Sequence, residues 1–479
     1  MSEIVMLSAA QLVAGFRQGT LSPVEVMCEV LDRITKLDPV VNAFCALDEE
    51  GAMSAAGEAE RRWMRGEPCG PLDGVPVSVK DLVAVAGLPT RQGSWTASPD
   101  RESADAPAVA RLRRAGAIPF GKTTTSEFGN KIVTDCPLTG ATRNPWDTRL
   151  SPGGSSGGSA VAVALGMGPL SLATDGGGSI RIPACWSGVV GFKPTFALVP
   201  AGSAASWTAL STLGPITRTV RDAALMLDAM ICTNTCADTR ANSDGSPGTG
   251  RTSAYSSGLD DGVAGLRIAW CAAPDGVSVA PDIAECVGRA VDTFGMLGAT
   301  VIQTDVAPFV DYYGDGRIHS VQWSVFFAQR VRHMEAADRT LLDPDLTALA
   351  DAGARIDTAM FVDALLARHA LGASMETFFE HYDLLVTPTF HCGPPPVPGL
   401  PGHLRNAPLL TAWCNQAGVP AISVPCGFAG DVPTGLQIIG RRGSDALVLR
   451  AARAYELARG DFPAPEGVLR LPGDTEIAP

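Results

Sequence analysis

No uninterrupted apolar run in the 479-residue chain reaches 18 residues, so no membrane-spanning helix is expected. Met1–Gln11 has no charged stretch followed by an apolar one, so no secretory signal is expected either. Base is scarce: 37 Lys and Arg face 50 Asp and Glu, and a formal charge of −13 argues against nucleic acid or an anionic membrane as partner. The twelve cysteines contain no C-x-x-C pair. The closest two, Cys232 and Cys236, have neither a second pair nor a nearby histidine, which excludes the usual zinc patterns, and no metal is expected. Reduced thiols in a cytoplasm are the simplest account. A phosphate-cradling G-x-x-x-x-G-K-[ST] loop is missing, as is a G-x-G-x-x-G frame after a strand, and no cofactor is expected. All six histidines lie beyond residue 300, and no internal repeat occurs.

What the chain does have is glycine and serine in one block. Residues 153–195 read GGSSGGSAVAVALGMGPLSLATDGGGSIRIPACWSGVVGFKPT, with nine glycines from Gly153 to Gly178, seven of them in two clusters. Glycine is costly to order, so such clusters belong where backbone approaches something closely or takes a conformation closed to other residues. Between them, Ser159–Leu165 reads as a short buried helix and Pro169–Thr174 as a buried strand. A flexible linker would not alternate with runs of core composition. The order loop, helix, strand, loop brings two serine-bearing loops to one edge of a sheet.

Two chemistries fit these serines. G-x-S-x-G occurs twice, centred on Ser155 and on Ser156, which matches a nucleophile elbow and requires a downstream acid and histidine. The second starts from Gly74–Val83, GVPVSVKDLV, whose alternating β-branched residues describe a strand buried on both faces with Lys80 at its end. A lysine there either pairs with Asp81 or lays its stem along the surface. Otherwise it is desolvated and neutral, a base for a serine, because burial lowers an amine's pKa toward working pH.

The set GVPVSVKD, SPGGSSGGSA, TDGGGSIRIPA and GVVGFKPT resembles the amidase signature family of serine hydrolases. The likeness continues through GKTTTSEFG, TRNPWD, YDLLVTPT, NQAGVPAISVP and PTGLQIIG, nearly the whole chain. It implies Ser179 as nucleophile, Ser155 as the serine that follows a cis peptide bond, and Lys80 as base, acting as a proton relay toward an acyl-enzyme. It also implies that N–H groups of Gly176, Gly177, Gly178 and Ser179 form an oxyanion hole, where removing one donor costs about 10²–10³ in rate. Main chain near Glu127 and Phe128 is implied to border the acyl pocket. Asp175 and Arg181 read as a buried structural pair holding the loop. In the glutaminase branch that serves tRNA-dependent amidotransferases, an Asp stands seven positions before the Asn of N-x-x-G-x-P. Here Pro408 occupies that place, and no basic run precedes Leu371. The departure points to a stand-alone amidase acting on a small aryl or alkyl amide, with side activity on aryl esters. The alternative is the glutaminase subunit of a tRNA-dependent amidotransferase.

The expected fold is α/β: a single large mixed β-sheet, covered by helices on both faces, spanning 1–479 as one domain. Its apolar fraction of 46% gives a sizeable core. Residues 1–65 read as mostly helical, with Ser22 as N-cap, Pro23 at N1 and Glu25 closing a capping box. That helical start serves equally as a sheet cover or as the face of a homodimer. Residues 74–231 form the catalytic core, 232–265 a long polar surface loop, and 266–479 the rest of the sheet. Segments 320–335 and 357–380 bring Trp323, Phe326, Phe327, Met360, Phe361 and Met375, which read as pocket wall or, more simply, as core.

Overall fold

A computed structural model describes residues 3–202, 210–231, 254–304, 317–405 and 409–465. The strands are β1 (Phe44–Leu47), β2 (Pro76–Lys80), β3 (Ile118–Thr123), β4 (Asp135–Cys136), β5 (Gly140–Ala141), β6 (Leu170–Asp175), β7 (Val190–Lys193), β8 (Thr212–Thr217), β9 (Arg267–Trp270), β10 (Thr300–Gln303), β11 (Leu384–Pro388), β12 (Ala421–Ala429) and β13 (Val432–Gly440). Eleven of them form one mixed sheet in the order β1-β3-β2-β6-β8-β7-β12-β13-β11-β9-β10, while β4 and β5 pair separately. Strands from residue 44 to residue 440 share this sheet, and the two halves of the chain meet where β7 runs antiparallel to β12. The expected mixed α/β sheet is what forms.

The two-residue period of a strand divides its side chains between two cores. Leu384, Val386, Ile422, Val424, Leu436 and Ile438 enter the main core, whereas their neighbours Leu385, Ala421 and Ile439 enter a second cluster on the other face. Along β2, Val77 and Val79 likewise face the main core. Strand β2 lies parallel to both β3 and β6. The C-terminal ends of β2 and β6 therefore emerge side by side, carrying Lys80 on one and Thr174-Asp175 on the other. Outside the carboxyl ends of parallel strands is where α/β sheets place ligands.

Helices fall close to the expected spans, with informative exceptions. The capping box forms at the first helix, Ala9–Gln18, where Ser8 and Gln11 exchange bonds. It does not form at the second, Pro23–Val41. There Ser22 Oγ accepts from Val24 N–H and donates to Glu60, so Glu25 is left out. Tertiary contact with the helix Glu49–Arg65 outcompetes the local pairing. Of the stretch expected as a polar loop, residues 232–253 lie outside the described residues. The remainder is pinned, since Tyr255, Leu259 and Val263 are buried in the main core. Spaced four apart within polar sequence, they give that end of the segment an apolar side.

Candidate active site

Lys80 is fully buried at the end of β2, and so are its hydroxyl partners apart from a trace at Thr174. Its Nζ lies 2.8 Å from Ser155 Oγ, 2.8 Å from Ser156 Oγ and 2.9 Å from Thr174 Oγ1. Asp81 does not pair with it. That carboxylate faces Lys122, 3.1 Å away on β3, because consecutive residues of a strand point to opposite faces. Burial holds the Lys80 amine well below its ordinary pKa, and Asp175 only partly offsets this. Ser156 Oγ donates its proton to Thr174 O at 3.2 Å, so toward Lys80 it acts as acceptor. A neutral amine has two N–H groups and one lone pair. With Ser156 taking one N–H, the lone pair remains for another neighbouring hydroxyl. Neither Ser155 nor Ser156 bonds a histidine among the described residues, which leaves the nucleophile-elbow reading without its base.

The peptide bond Gly154–Ser155 is cis, and the helix Gly157–Ala164 begins directly after Ser156. Ser156 N–H donates to Ser179 O at 3.2 Å, which ties the first serine loop to the second. From residue 151 to 187, every residue but Ser179 is buried. An otherwise dry segment thus presents one hydroxyl-bearing residue to the outside.

The loop that carries Ser179 is held from beneath by an ion pair. Both Asp175 and Arg181 are fully buried. Asp175 Oδ1 accepts from Gly178 N–H at 2.7 Å, Arg181 Nη2 at 2.9 Å and Asn415 Nδ2 at 3.0 Å. Its Oδ2 accepts from Arg181 Nε at 3.0 Å and Ile180 N–H at 3.2 Å. Arg181 spends its remaining donors on Thr411 O, Gln437 Oε1 and Asn415 Oδ1, so all five N–H groups are used. Burial alone would raise the Asp175 pKa, but the Arg181 charge and these bonds outweigh it and hold the carboxyl well below its ordinary range. One correction follows for the oxyanion donors. Gly178 N–H is engaged by Asp175, whereas those of Gly176, Gly177 and Ser179 bond nothing among the described residues. Gly178 has φ +128°, and a side chain there would collide with Thr411.

Glu127 sits in the neighbouring segment, but its carboxylate turns away, accepting from Ser94 Oγ and from Asp343 N–H, each at 2.6 Å. It anchors the segment. The main chain that reaches the site is Gly129, where a Cβ would stand 3.2 Å from Ser155 Oγ. Phe128 packs its ring under Arg330 at 3.9 Å. An open cavity of about 600 Å³, lined by Lys131, Asp135, Asp343 and Arg405 together with apolar residues such as Pro396, Pro398 and Leu400, contains none of Lys80, Ser155 and Ser179. On the other side, helix Arg317–Val331 lays His319 against Gly177 and Trp323 against Gly176. Of the apolar wall candidates, Trp323 reaches the glycine loop. Phe327 and Met375 belong to core, and Met360 is 46% exposed on the surface. Thr174, Asn415, Gln437 and His319 are not assigned to the site by the sequence. Three of them lie in quoted motifs, Thr174 in TDGGGSIRIPA, Asn415 in NQAGVPAISVP and Gln437 in PTGLQIIG, and His319 lies in none.

Similarity to known proteins agrees with this geometry. The family model described as Amidase matches residues 25–449. The acylamidase of Rhodococcus erythropolis is 36% identical, over 95% of this chain and 95% of its own. From Chloroflexus aggregans (strain MD-66 / DSM 9485) and from Salinispora arenicola (strain CNS-205) come two glutamyl-tRNA(Gln) amidotransferase components. The Salinispora one is 35% identical, over 97% of this chain and 100% of its own, and the Chloroflexus one 33% identical, over 95% and 97%. Among solved structures, a bacterial aryl acylamidase of the amidase signature enzymes superposes with a TM-score of 0.86 at 30% identity, covering 95% of this chain and 97% of that one. No described helix is long and apolar enough to cross a membrane. The buried lysine, the paired serine loops and the matched family model together make the chain a member of the amidase signature family and an amide hydrolase.

Proposed function

We propose that the protein hydrolyses a small aryl or alkyl carboxylic amide through an acyl-enzyme on Ser179. The observation that carries this reading is the Lys80 amine, deprived of water and charge partner, 2.8 Å from Ser155 Oγ. In the reaction the neutral amine takes the Ser155 proton while Ser155 Oγ takes that of Ser179, whose oxygen attacks the carbonyl carbon. The oxyanion faces the N–H groups of Gly176, Gly177 and Ser179. The same protons return through Ser155 to the leaving nitrogen, releasing the amine. Water then repeats the attack on the ester and frees the acid.

A second reading has a specific observation behind it: the Salinispora amidotransferase component matches across the full chain at nearly the same identity as the acylamidase. Pro408, standing where the resemblance places an Asp, favours the stand-alone enzyme. The test is a panel of anilides, aliphatic amides and glutamine, read by mass spectrometry. The stand-alone reading expects turnover of anilides by the isolated chain and an acyl adduct on the Ser179 peptide. Ser179→Ala abolishes both. Glutamine turnover appearing only with partner subunits would replace it by the amidotransferase reading.

A further inference from the structure

His319 projects from helix Arg317–Val331 onto the glycine loop that carries Ser179. A Cβ on Gly177 would lie 2.9 Å from His319 Cε1 and 3.0 Å from Nε2, so the missing side chain is what gives the ring its place. The ring stacks on Trp323, with centroids 5.2 Å apart at 25°, and Trp323 Nε1 donates to Asn130 O at 3.0 Å. The imidazole is thus held against the loop, and the residue is half-buried.

The hydrogen-bond chain behind the ring determines its tautomer. Gln322 Nε2 lies 3.1 Å from Ile318 O, a backbone carbonyl that only accepts, so that atom of Gln322 must be nitrogen. Its second N–H then points at Gln416, 3.1 Å away, which requires oxygen on that side of Gln416. The other Gln416 atom is therefore the amide nitrogen, and it faces His319 Nδ1 at 3.4 Å. Nδ1 accepts, and the imidazole proton resides on Nε2. Burial lowers the His319 pKa to about 4, so the ring is neutral near pH 7 and keeps this tautomer. Among the described residues no acceptor bonds Nε2–H, and the nearby Gly177 O accepts from Thr411 Oγ1 at 2.6 Å.

Resting on the hydrolase reading above, we propose that His319 is a substrate-binding residue. Its Nε2–H donates to an acceptor atom on the acyl group beside the scissile carbonyl, so the site selects amides of hydroxy-, alkoxy- or oxo-substituted carboxylic acids over plain alkyl ones. The acyl half is the one concerned because the leaving nitrogen faces Ser155, which returns its proton, whereas His319 meets Gly177. A donor stripped of water by the bound acyl group and left without a partner penalises the alkyl analogue.

Methoxyacetanilide and butyranilide differ by one ether oxygen in place of a methylene. Wild-type enzyme is expected to favour the ether in kcat/KM by about tenfold. His319→Phe, which keeps a stacking ring without a donor, brings the ratio to about one, and His319→Gln, which restores an N–H donor, recovers part of it. The same pair is titrated calorimetrically into Ser179→Ala protein with and without His319→Phe, which reads binding without turnover. An ether preference that survives His319→Phe in both assays overturns the proposal. So does a preference that follows an acceptor in the amine half, tested with the butyryl amide of 3-aminopyridine. Absent turnover with an intact His319-dependent binding preference sinks the hydrolase reading alone and supports the binding role.

Discussion

Lys80 and Arg181 are both cations by type, both without solvent exposure, and both within reach of the same glycine loop. Their surroundings differ. Three neutral hydroxyls meet the lysine, so only the Asp175 charge offsets the loss of hydration, and the amine's pKa is pushed well down. A carboxylate, two side-chain amide oxygens and a backbone carbonyl meet the guanidinium, so it stays charged, and its pKa is raised despite burial. Burial by itself does not determine protonation. The oxygens that accompany it do, and here one arrangement makes a base while the other makes a scaffold.

The comparison is broken or sharpened by four experiments. The largest effect is expected for Lys80→Ala, which removes the base and lowers kcat/KM on an anilide by about 10²–10⁴ with little change in circular dichroism. Wild-type rate at neutral pH would refute the proton relay. Asp175→Asn attacks the scaffold instead, leaving Arg181 charged and uncompensated. A loss of about 3–5 kcal/mol in urea unfolding is expected, and unchanged stability would place the pair outside the framework.

Third comes pH. The working form of Lys80 is neutral, so kcat/KM should fall in acid as the amine takes up a proton. The midpoint should lie well below the ordinary lysine value of 10.5. The Asp175 pair behaves with the opposite charge. Its carboxyl pKa is depressed from 3.8, so its stabilisation is complete above that value and is lost only as pH drops below it. Activity should therefore decline at a higher pH than the fold does, and coincident midpoints would contradict the distinction. The smallest effect belongs to Ser156→Ala, which removes one acceptor from Lys80 but leaves Ser155. Less than about a tenfold loss in kcat is expected, and a loss equal to that of Ser155→Ala would give Ser156 a direct part.

Much of this is legible in one dimension. Alternating β-branched residues mark β2, glycine clusters mark the two loops, and an anomalous lysine at a strand end marks the amine. Competition from other groups explains the misses. Ser22 and Glu25 satisfy the capping-box pattern, but Glu60, from another helix, takes the hydroxyl. Gly178 qualifies as an oxyanion donor by its place in the motif, yet Asp175, three residues away, holds its N–H. The resemblance sets main chain near Glu127 and Phe128 beside the pocket but says nothing of the Glu127 carboxylate, which meets Ser94 and Asp343, and no spacing rule announces contacts 33 and 216 residues distant.

The sequence by itself determined the elements and the residue types of the chemistry, because periodicity, glycine content and an out-of-place charge act over a few neighbouring positions. Only the tertiary structure decided which hydroxyls surround the Lys80 amine, which groups complete the Arg181 shell, and that the His319 ring rests on Gly177. Each depends on atoms far apart along the chain and brought within about 3 Å by packing of the sheet and its helices, and protonation follows from that packing.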